Sequence, residues 1–271
     1  MSQTPNTTKN QVSVKGIFER DAVKQKIQEM LGKKAPGFIT SVLQVTTNNQ
    51  LLAKADPMTI YNSAMIAATL DLPINPNLGF AYIVPYKGQA AFQMGYRGYI
   101  QLAQRTGQYE AINMVKIHEN QFKSFNALTE ELNCDFTIQG SGKVVGYAAY
   151  FRLVNGFSKT AYWSVDQVTE HAKRFSQSFG SASSPWKTDF DAMAMKTVLK
   201  NTLAKWGILS IEMQLAVKTD QAVVLDEKGQ EVIYPDGTDE FQEAVEVTVD
   251  EKKSTLRDKI EAGENPASQM P

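Results

Sequence analysis

Two periods of apolar and polar positions divide this chain. Over residues 17–31 the apolar set Ile17, Ala22, Val23, Ile27, Met30 and Leu31 recurs at helical spacing, and Gly32 with the Pro36-Gly37 pair ends it. A second helix is predicted from Phe38 to Val45. In a third, Asp56 caps, Pro57 takes the first helical position, and Tyr61, Ala64, Met65, Ala68 and Thr69 carry it to about Leu70. Its apolar residues are small and its polar ones uncharged, so it is expected to pack on more than one side. From residue 72 the pattern changes. Pro73, Pro76 and Gly79 mark a loop, and Phe80–Pro85 and Gln89–Met94 read as strands joined by a Tyr86-Lys87-Gly88 turn.

Helical spacing returns over 96–107, with Tyr96, Tyr99, Ile100 and Ala103 on one face and Arg97, Gln101, Gln104 and Arg105 on another; Gly107 stops it. Tyr109 to Val165 is mostly β, with strands expected over 111–118, 134–138 and 143–153. Asn155-Gly156 is a hairpin signal, and 157–163 forms the return strand. Ser164 then caps a helix to Arg174. A Ser/Gly loop follows, holding Phe175 and Phe179. Residues 185–212 read as one long amphipathic helix begun by Pro185 and stopped near Gly207. At about 100° per residue, Ala192, Met195, Leu199, Thr202, Leu203 and Trp206 share a face, with Lys196 and Lys200 on its border.

The predicted fold class is therefore α+β: antiparallel hairpins and sheet packed with a long helix, N-terminal helices before them, and a small acidic C-terminal region. The expected organisation is a disordered start over 1–16, one domain over 17–219, and an acidic tail over 220–271. The tail contains a small hairpin over 222–234 turned at Lys228-Gly229.

Charge sharpens this division. Residues 220–271 carry 14 acidic and 5 basic side chains, a net −9, so the remaining body, with 23 basic and 15 acidic, stands at +8. A basic body points to a polyanionic partner. Cys134 is the only cysteine, which excludes an internal disulfide and a thiolate zinc site. No apolar run reaches the roughly 18 residues of a membrane span. The polar first residues lack a signal core. A cytoplasmic protein is expected.

Motifs for catalysis are missing. There is no phosphate-binding P-loop, GxGxxG, GxSxG or HExxH, and the acids of the body are scattered rather than convergent. No enzyme activity and no cofactor are expected, with Mg²⁺ entering only through a nucleic acid. Cations beside aromatics are what the body does contain. Lys87 follows Tyr86, Arg97 lies between Tyr96 and Tyr99, Lys173 and Arg174 precede Phe175, and Trp186 precedes Lys187. Cations track phosphates while rings support bases without reading them, which suits single-stranded nucleic acid. The candidate contacts are Lys87, Arg97, Arg105, Lys173, Arg174, Trp186, Lys187, Lys196, Lys200 and Lys205.

Three blocks carry a resemblance: LPINPNLGFAYIVPY, QMGYRGYIQLAQRTGQ and PWKTDFDAMAMKTVLKNTLAKWGILSIEMQLAV. Together they resemble the RecT family of phage recombination proteins over roughly residues 20–218. Gly95, Tyr96, Arg97 and Gly98 match the family's GYRG, and Arg105 and Gly107 its Arg-Ser/Thr-Gly. Pro185 and Trp186 match its Pro-Trp, Lys196 and Thr197 its Lys-Thr, and Lys200 a basic position after it. Asn201 and an extra residue around Gly207 depart from the pattern, so Lys205 has the weakest match. The resemblance implies ATP-independent binding of single-stranded DNA and annealing of complementary strands in phage homologous recombination. It also implies a homo-oligomeric ring or helical filament holding the DNA and the annealed duplex intermediate in a basic groove. A paired exonuclease and the host single-strand-binding protein are its expected partners. Two rival readings share the cations: a single-strand binder without annealing activity, and a structural phage protein whose basic patch meets an acidic neighbour.

Overall fold

The computed structural model describes residues 13–176, 178–182, 184–226 and 232–234. Its elements in chain order begin with four helices, α1 (Val14–Phe18), α2 (Asp21–Leu31), α3 (Ala35–Asn48) and α4 (Pro57–Thr69). The strands β1 (Ala81–Tyr86) and β2 (Gln89–Met94) and the helix α5 (Tyr96–Arg105) follow. Next come β3 (Tyr109–His118), β4 (Phe122–Asn126), β5 (Glu131–Cys134), β6 (Val144–Leu153) and β7 (Ser158–Ser164). The helices α6 (Val165–Phe175), α7 (Pro185–Thr188), α8 (Phe190–Trp206) and α9 (Ile211–Thr219) precede the two-residue strands β8 (Val223–Val224) and β9 (Val232–Ile233). The α+β class is as expected. Two compact units divide the chain: one runs to Gly98 and resumes at Thr219, and the other runs from Tyr99 to Lys218.

In the first unit, α4 is the central helix. The Asp56 carboxylate accepts the Met58 N–H and Pro57 opens the helix. Thr59 to Ala64, Ala67 and Ala68 are all buried, so this helix is enclosed on several sides, as its small side chains predict. Its polar residues serve the neighbouring strand: the Ala90 N–H donates to Thr59 Oγ1 at 2.9 Å, and Ser63 Oγ donates to the Ala90 carbonyl at 3.3 Å. β1 and β2 pair in register from Ala81↔Met94 to Tyr86↔Gln89, so Tyr86 belongs to the strand and the turn is Lys87-Gly88, one residue shorter than the expected Tyr86-Lys87-Gly88. The first helical region begins earlier than expected. Ser13 accepts the Gly16 N–H, so α1 starts at Val14, and Arg20 separates it from α2.

The chain returns to this unit at its end. Asp220 accepts the buried Met94 N–H at 2.9 Å, Ala222 accepts from Phe92, and Asn62 donates to the Val224 carbonyl at 2.8 Å. Ala222, Val223 and Val224 are buried. Residues 220–224 are thus core, not the start of a separate tail. β8 and β9 form the expected small hairpin, while the acidic remainder and residues 1–12 lie outside the described residues.

The second unit is built on an antiparallel sheet in the order β3-β6-β7. Central β6 is apolar on both faces, with Gly146 to Ala149, Phe151 and Leu153 buried, as a strand covered on two sides must be. One face meets α8, whose Asp191 takes the Tyr147 hydroxyl. On the other, the β4–β5 hairpin stacks Phe122 on Tyr162 at 5.0 Å. That hairpin replaces the strand expected over 134–138. The pairing ends at Cys134, because Asp135 turns its side chain back to the Thr137 N–H.

The long helix expected over 185–212 is three helices. Asp189 leaves helical geometry at φ −150° and its carboxylate caps Ala192, so the residue that would continue α7 instead starts α8. Gly207 ends α8, and a Cβ there would lie 2.5 Å from the Tyr109 hydroxyl. A capping box of Ser164 and Gln167 opens α6, with both reciprocal bonds present.

Candidate nucleic-acid interface

Two of the ten candidate residues, Lys87 and Arg97, belong to the first unit, and the other eight to the second. Lys87 occupies the first turn position of the β1–β2 hairpin at φ 43°, followed by Gly88 at φ 80°. Positive φ at both positions is what a two-residue hairpin requires, and it projects Lys87 from the tip. Its ammonium lies 5.1 Å from the Tyr86 ring.

Arg97 is set by two glycines. A Cβ on Gly95 would come 2.1 Å from the Gly79 carbonyl oxygen, and one on Gly98 would come 2.3 Å from that of Phe80. The start of α5 therefore lies directly against the loop at 79–80, and only glycine permits the approach. Arg97 reaches across that loop. One guanidinium N–H donates to the Leu78 carbonyl at 3.3 Å, Nε donates to the Tyr96 hydroxyl at 3.4 Å, and the group sits 5.9 Å from the Tyr96 ring. The side chain remains exposed.

In the second unit, Arg105 ends α5, exposed, within electrostatic reach of Glu212. Glu212 is held below the usual carboxylate range chiefly by the Ser210 hydroxyl. On the described face with Arg97 and Arg105, Gln101 is half-buried, and its Oε1 is enclosed without a hydrogen bond.

Three cations gather at the junction of α6 and α7. Lys173 and Arg174 end α6. Lys173 is held by Glu170 at 2.7 Å, and Arg174 lies 4.8 Å from the Phe175 ring. The connecting loop is knitted by serines: Ser176 Oγ lies 3.1 Å from Ser178 Oγ, which lies 3.3 Å from Ser184 Oγ. Both ends of the loop are drawn together through Ser178. Lys187 stands on the far side with its ammonium 5.4 Å from the Phe179 ring. Exposed cations, half-buried rings and hydroxyls thus share one short segment, a combination that can hold phosphates and support bases.

Trp186 does not join that surface. It is buried, edge-on to Phe179 at 6.1 Å and to Phe190 at 5.6 Å, and Phe190 continues to Tyr147 at 6.3 Å. This row of rings ties the loop to the sheet. Its anchor is Asp191, which accepts from Tyr147 at 2.6 Å and from Lys116 at 2.9 Å. Burial pushes the Asp191 carboxyl up, but these two donors outweigh it and hold it below the usual carboxylate range. Tyr147 is raised by burial first and by Asp191 second.

A family model described as the RecT family matches residues 36–244. This chain belongs to the RecT family. Among its relatives, the uncharacterized protein YqaK of Bacillus subtilis (strain 168) is 55% identical over 206 residues, 76% of this chain and 71% of that protein. Protein RecT of Escherichia coli (strain K12) is 27% identical over 210 residues, 72% of this chain and 77% of that protein. The RecT match begins in α3 and takes in every later described element.

Lys196 and Lys200 require a correction. Helical spacing puts them on the border of the buried face of α8, yet they are 4% and 5% exposed. The wheel assumes one covered face, whereas α8 buries Met193, Ala194, Val198, Leu199, Thr202 and Leu203 as well, on more than one side. Conversely Trp206, expected on the core face, is 44% exposed. It is flanked by Lys205 at 5.6 Å and by Lys159 at 3.6 Å. Lys159, which also pairs with Glu130, escaped the sequence reading because its ring partner lies 47 positions away. Among the described residues, no three of His, Cys, Asp and Glu gather as metal ligands, and no helix is long and apolar enough to cross a membrane.

Proposed function

We propose that this chain binds single-stranded DNA and anneals complementary strands without ATP, serving homologous recombination as an oligomer in the cytoplasm of a bacterial host. RecT family membership supports the class of activity. The observation that carries the reading to named residues is the repeated setting of an exposed cation against a ring: Lys87 with Tyr86, Arg97 with Tyr96, Arg174 with Phe175 and Lys187 with Phe179. Each pair offers a phosphate a charge and a base a flat surface, with nothing that reads sequence. The work is binding rather than bond chemistry. One strand is held by its phosphates with its base edges exposed, and a second strand stays only where it pairs. The acidic C-terminal segment is the part assigned to protein partners, an exonuclease or a single-strand-binding protein.

Fluorescence anisotropy of a labelled oligonucleotide across a salt series tests the binding. Affinity should fall log-linearly with salt, by about 0.7 of a decade per decade for each phosphate neutralised. A salt-independent affinity, or none, removes the proposal and leaves the basic body to an acidic protein partner.

A further inference from the structure

The hairpin of the first unit has an open edge. On β2, the N–H groups of Ala90, Phe92 and Met94 point away from β1, to Thr59 Oγ1 at 2.9 Å, the Ala222 carbonyl at 3.1 Å and the Asp220 carboxylate at 2.9 Å. Their cross-strand neighbours Pro85, Ile83 and Ala81 are therefore the non-hydrogen-bonded pairs of the hairpin, and they turn their own backbone groups to the opposite edge. A third strand begins there, where Ile74 makes a parallel bridge to Ala81. It goes no further. The Asn75 side chain accepts the Asn77 N–H at 3.0 Å and the Asn75 carbonyl accepts the Leu78 N–H at 2.9 Å, so the chain turns away.

Past that turn, Ile83 and Pro85 border an open cleft of about 540 Å³ between β1 and α3. No hydrogen bond among the described residues takes the Ile83 N–H, the Ile83 carbonyl or the Pro85 carbonyl at this edge. Pro85 has no N–H to offer, and an edge position is where a strand tolerates it. Ser41, Gln44, Val45 and Asn48 of α3 form the facing wall, and Asn75 and Asn77 close one end. Tyr82 carries the only ionisable group of the lining. An exposed strand edge is a template for another strand, and folds commonly cover it. The strand that fits this cleft has small apolar side chains and no charge on its inward face, to meet Val45 and Val84.

The chain itself contains such a segment outside the described residues. In Ala244-Val245-Glu246-Val247-Thr248-Val249 three β-branched valines alternate with polar positions, so an extended conformation sets the valines on one face and Glu246 on the other. Residues 1–12 and 250–271 hold no comparable run. Reach also favours this occupant. The last described residue, Tyr234, follows β9 in the same unit as β1. From β9 through β8, β2 and β1 to a strand beyond β1 is four strand spacings, roughly 20 Å. Residues 235–243 can extend to about 30 Å.

We infer that residues 244–249 add a strand to the free edge of β1 in the same molecule, seated between β1 and α3. The added strand receives the Ile83 N–H on one of its carbonyls and donates its own N–H groups to the Ile83 and Pro85 carbonyls. Two segments prone to stray β pairing thereby cover each other, and residues 251–271 are left to carry the acidic charge. The inference is independent of the annealing reading.

Hydrogen exchange resolved to single amides tests it, on the full chain without DNA. In the parent, the Ile83 amide and the amides of 245–249 should be protected. Val247→Pro removes a donor and breaks the added strand, so exchange at Ile83 should quicken at least tenfold. The Phe92 amide, bonded to Ala222, should exchange as in the parent, which separates an opened edge from an unfolded hairpin. Val247→Ile, which keeps the β-branched strand, should exchange like the parent at all these positions. Three results overturn the inference: residues 245–249 exchanging at unprotected rates in the parent, Ile83 unaffected by Val247→Pro, or protection at Ile83 that falls on dilution. The last would place the strand of a second copy in the cleft.

Discussion

A lysine at the surface and a lysine in the interior answer the same substitution in opposite ways. Lys187 is exposed beside Phe179, so Lys187→Ala should leave stability within about 0.5 kcal/mol. It should reduce the salt slope of single-strand binding by about 0.7. Lys200 is buried on α8, and Lys200→Glu is expected to destabilise the fold by about 3 kcal/mol or more, since it sets an uncompensated charge in the interior. Thermal denaturation beside a salt titration separates the two; a folded Lys200→Glu protein with a reduced slope would return that lysine to the DNA surface. Arg97 is a third case. Its fork spans Tyr96 and the Leu78 carbonyl, so Arg97→Lys keeps charge but loses geometry. Annealing should fall several-fold, and full activity would mean that charge alone matters. The turn lysine and the arginine of α5 were legible because short-range signals place them: a Lys-Gly turn and a Gly-Tyr-Arg-Gly helix start. Lys196, Lys200 and Trp206 were not, because a helical wheel cannot show how many neighbours a helix will have.

Elements were legible where their ends carry their own chemistry. Asp56-Pro57, Ser164 with Gln167, and Asn155-Gly156 each satisfy or bend the backbone within a few residues, and all three appear as read. The break at Asp189 was missed because an aspartate inside an apolar periodic run reads as an exposed helical position until its carboxylate is seen capping Ala192. The anchor that follows is testable by pH. Asp191 is held below its ordinary range in the folded state, so its contribution is present above the unfolded value near 3.9 and is lost as pH falls through the lower folded value. Melting temperature should therefore drop more steeply below about pH 4 in the parent than in Asp191→Asn. Tyr147→Phe removes a hydrogen bond to a charged group and should cost about 1.5–3 kcal/mol at neutral pH. Equal acid sensitivity of parent and Asp191→Asn would show that this carboxylate does not secure α8 to the sheet.

At the scale of the molecule, charge and fold divide the chain at different places. The acidic stretch begins near residue 220, but Asp220, Ala222, Val223 and Val224 are core of the first unit. Composition marks solvation rather than packing, so it could not separate a buried return strand from the tail after it. A truncation intended to spare the fold must start later. Residues 235–271 carry 10 acidic and 4 basic side chains, and their removal leaves +5 on the rest. That protein should fold and bind single strands at low salt at least as tightly as the parent, because a repelling charge is gone. Folding without binding would place the tail in the DNA surface.

Annealing differs from coating in what the first strand leaves open. A passive binder covers each strand and treats its complement as a competitor, whereas an annealing protein holds phosphates and presents bases. The most direct measurement is native electrophoresis without ATP, at fixed salt, with three additions: one strand followed by its complement, one strand followed by a non-complementary strand, and preformed duplex. The sequential complementary pair should give a slowly dissociating complex containing both strands, and the non-complementary strand should not be retained. Preformed duplex should bind far more weakly, since bending a stacked helix into a groove shaped for an extended strand costs on the order of several kcal/mol. Equal affinity for all three would contradict the annealing account and leave a general binder of nucleic acid.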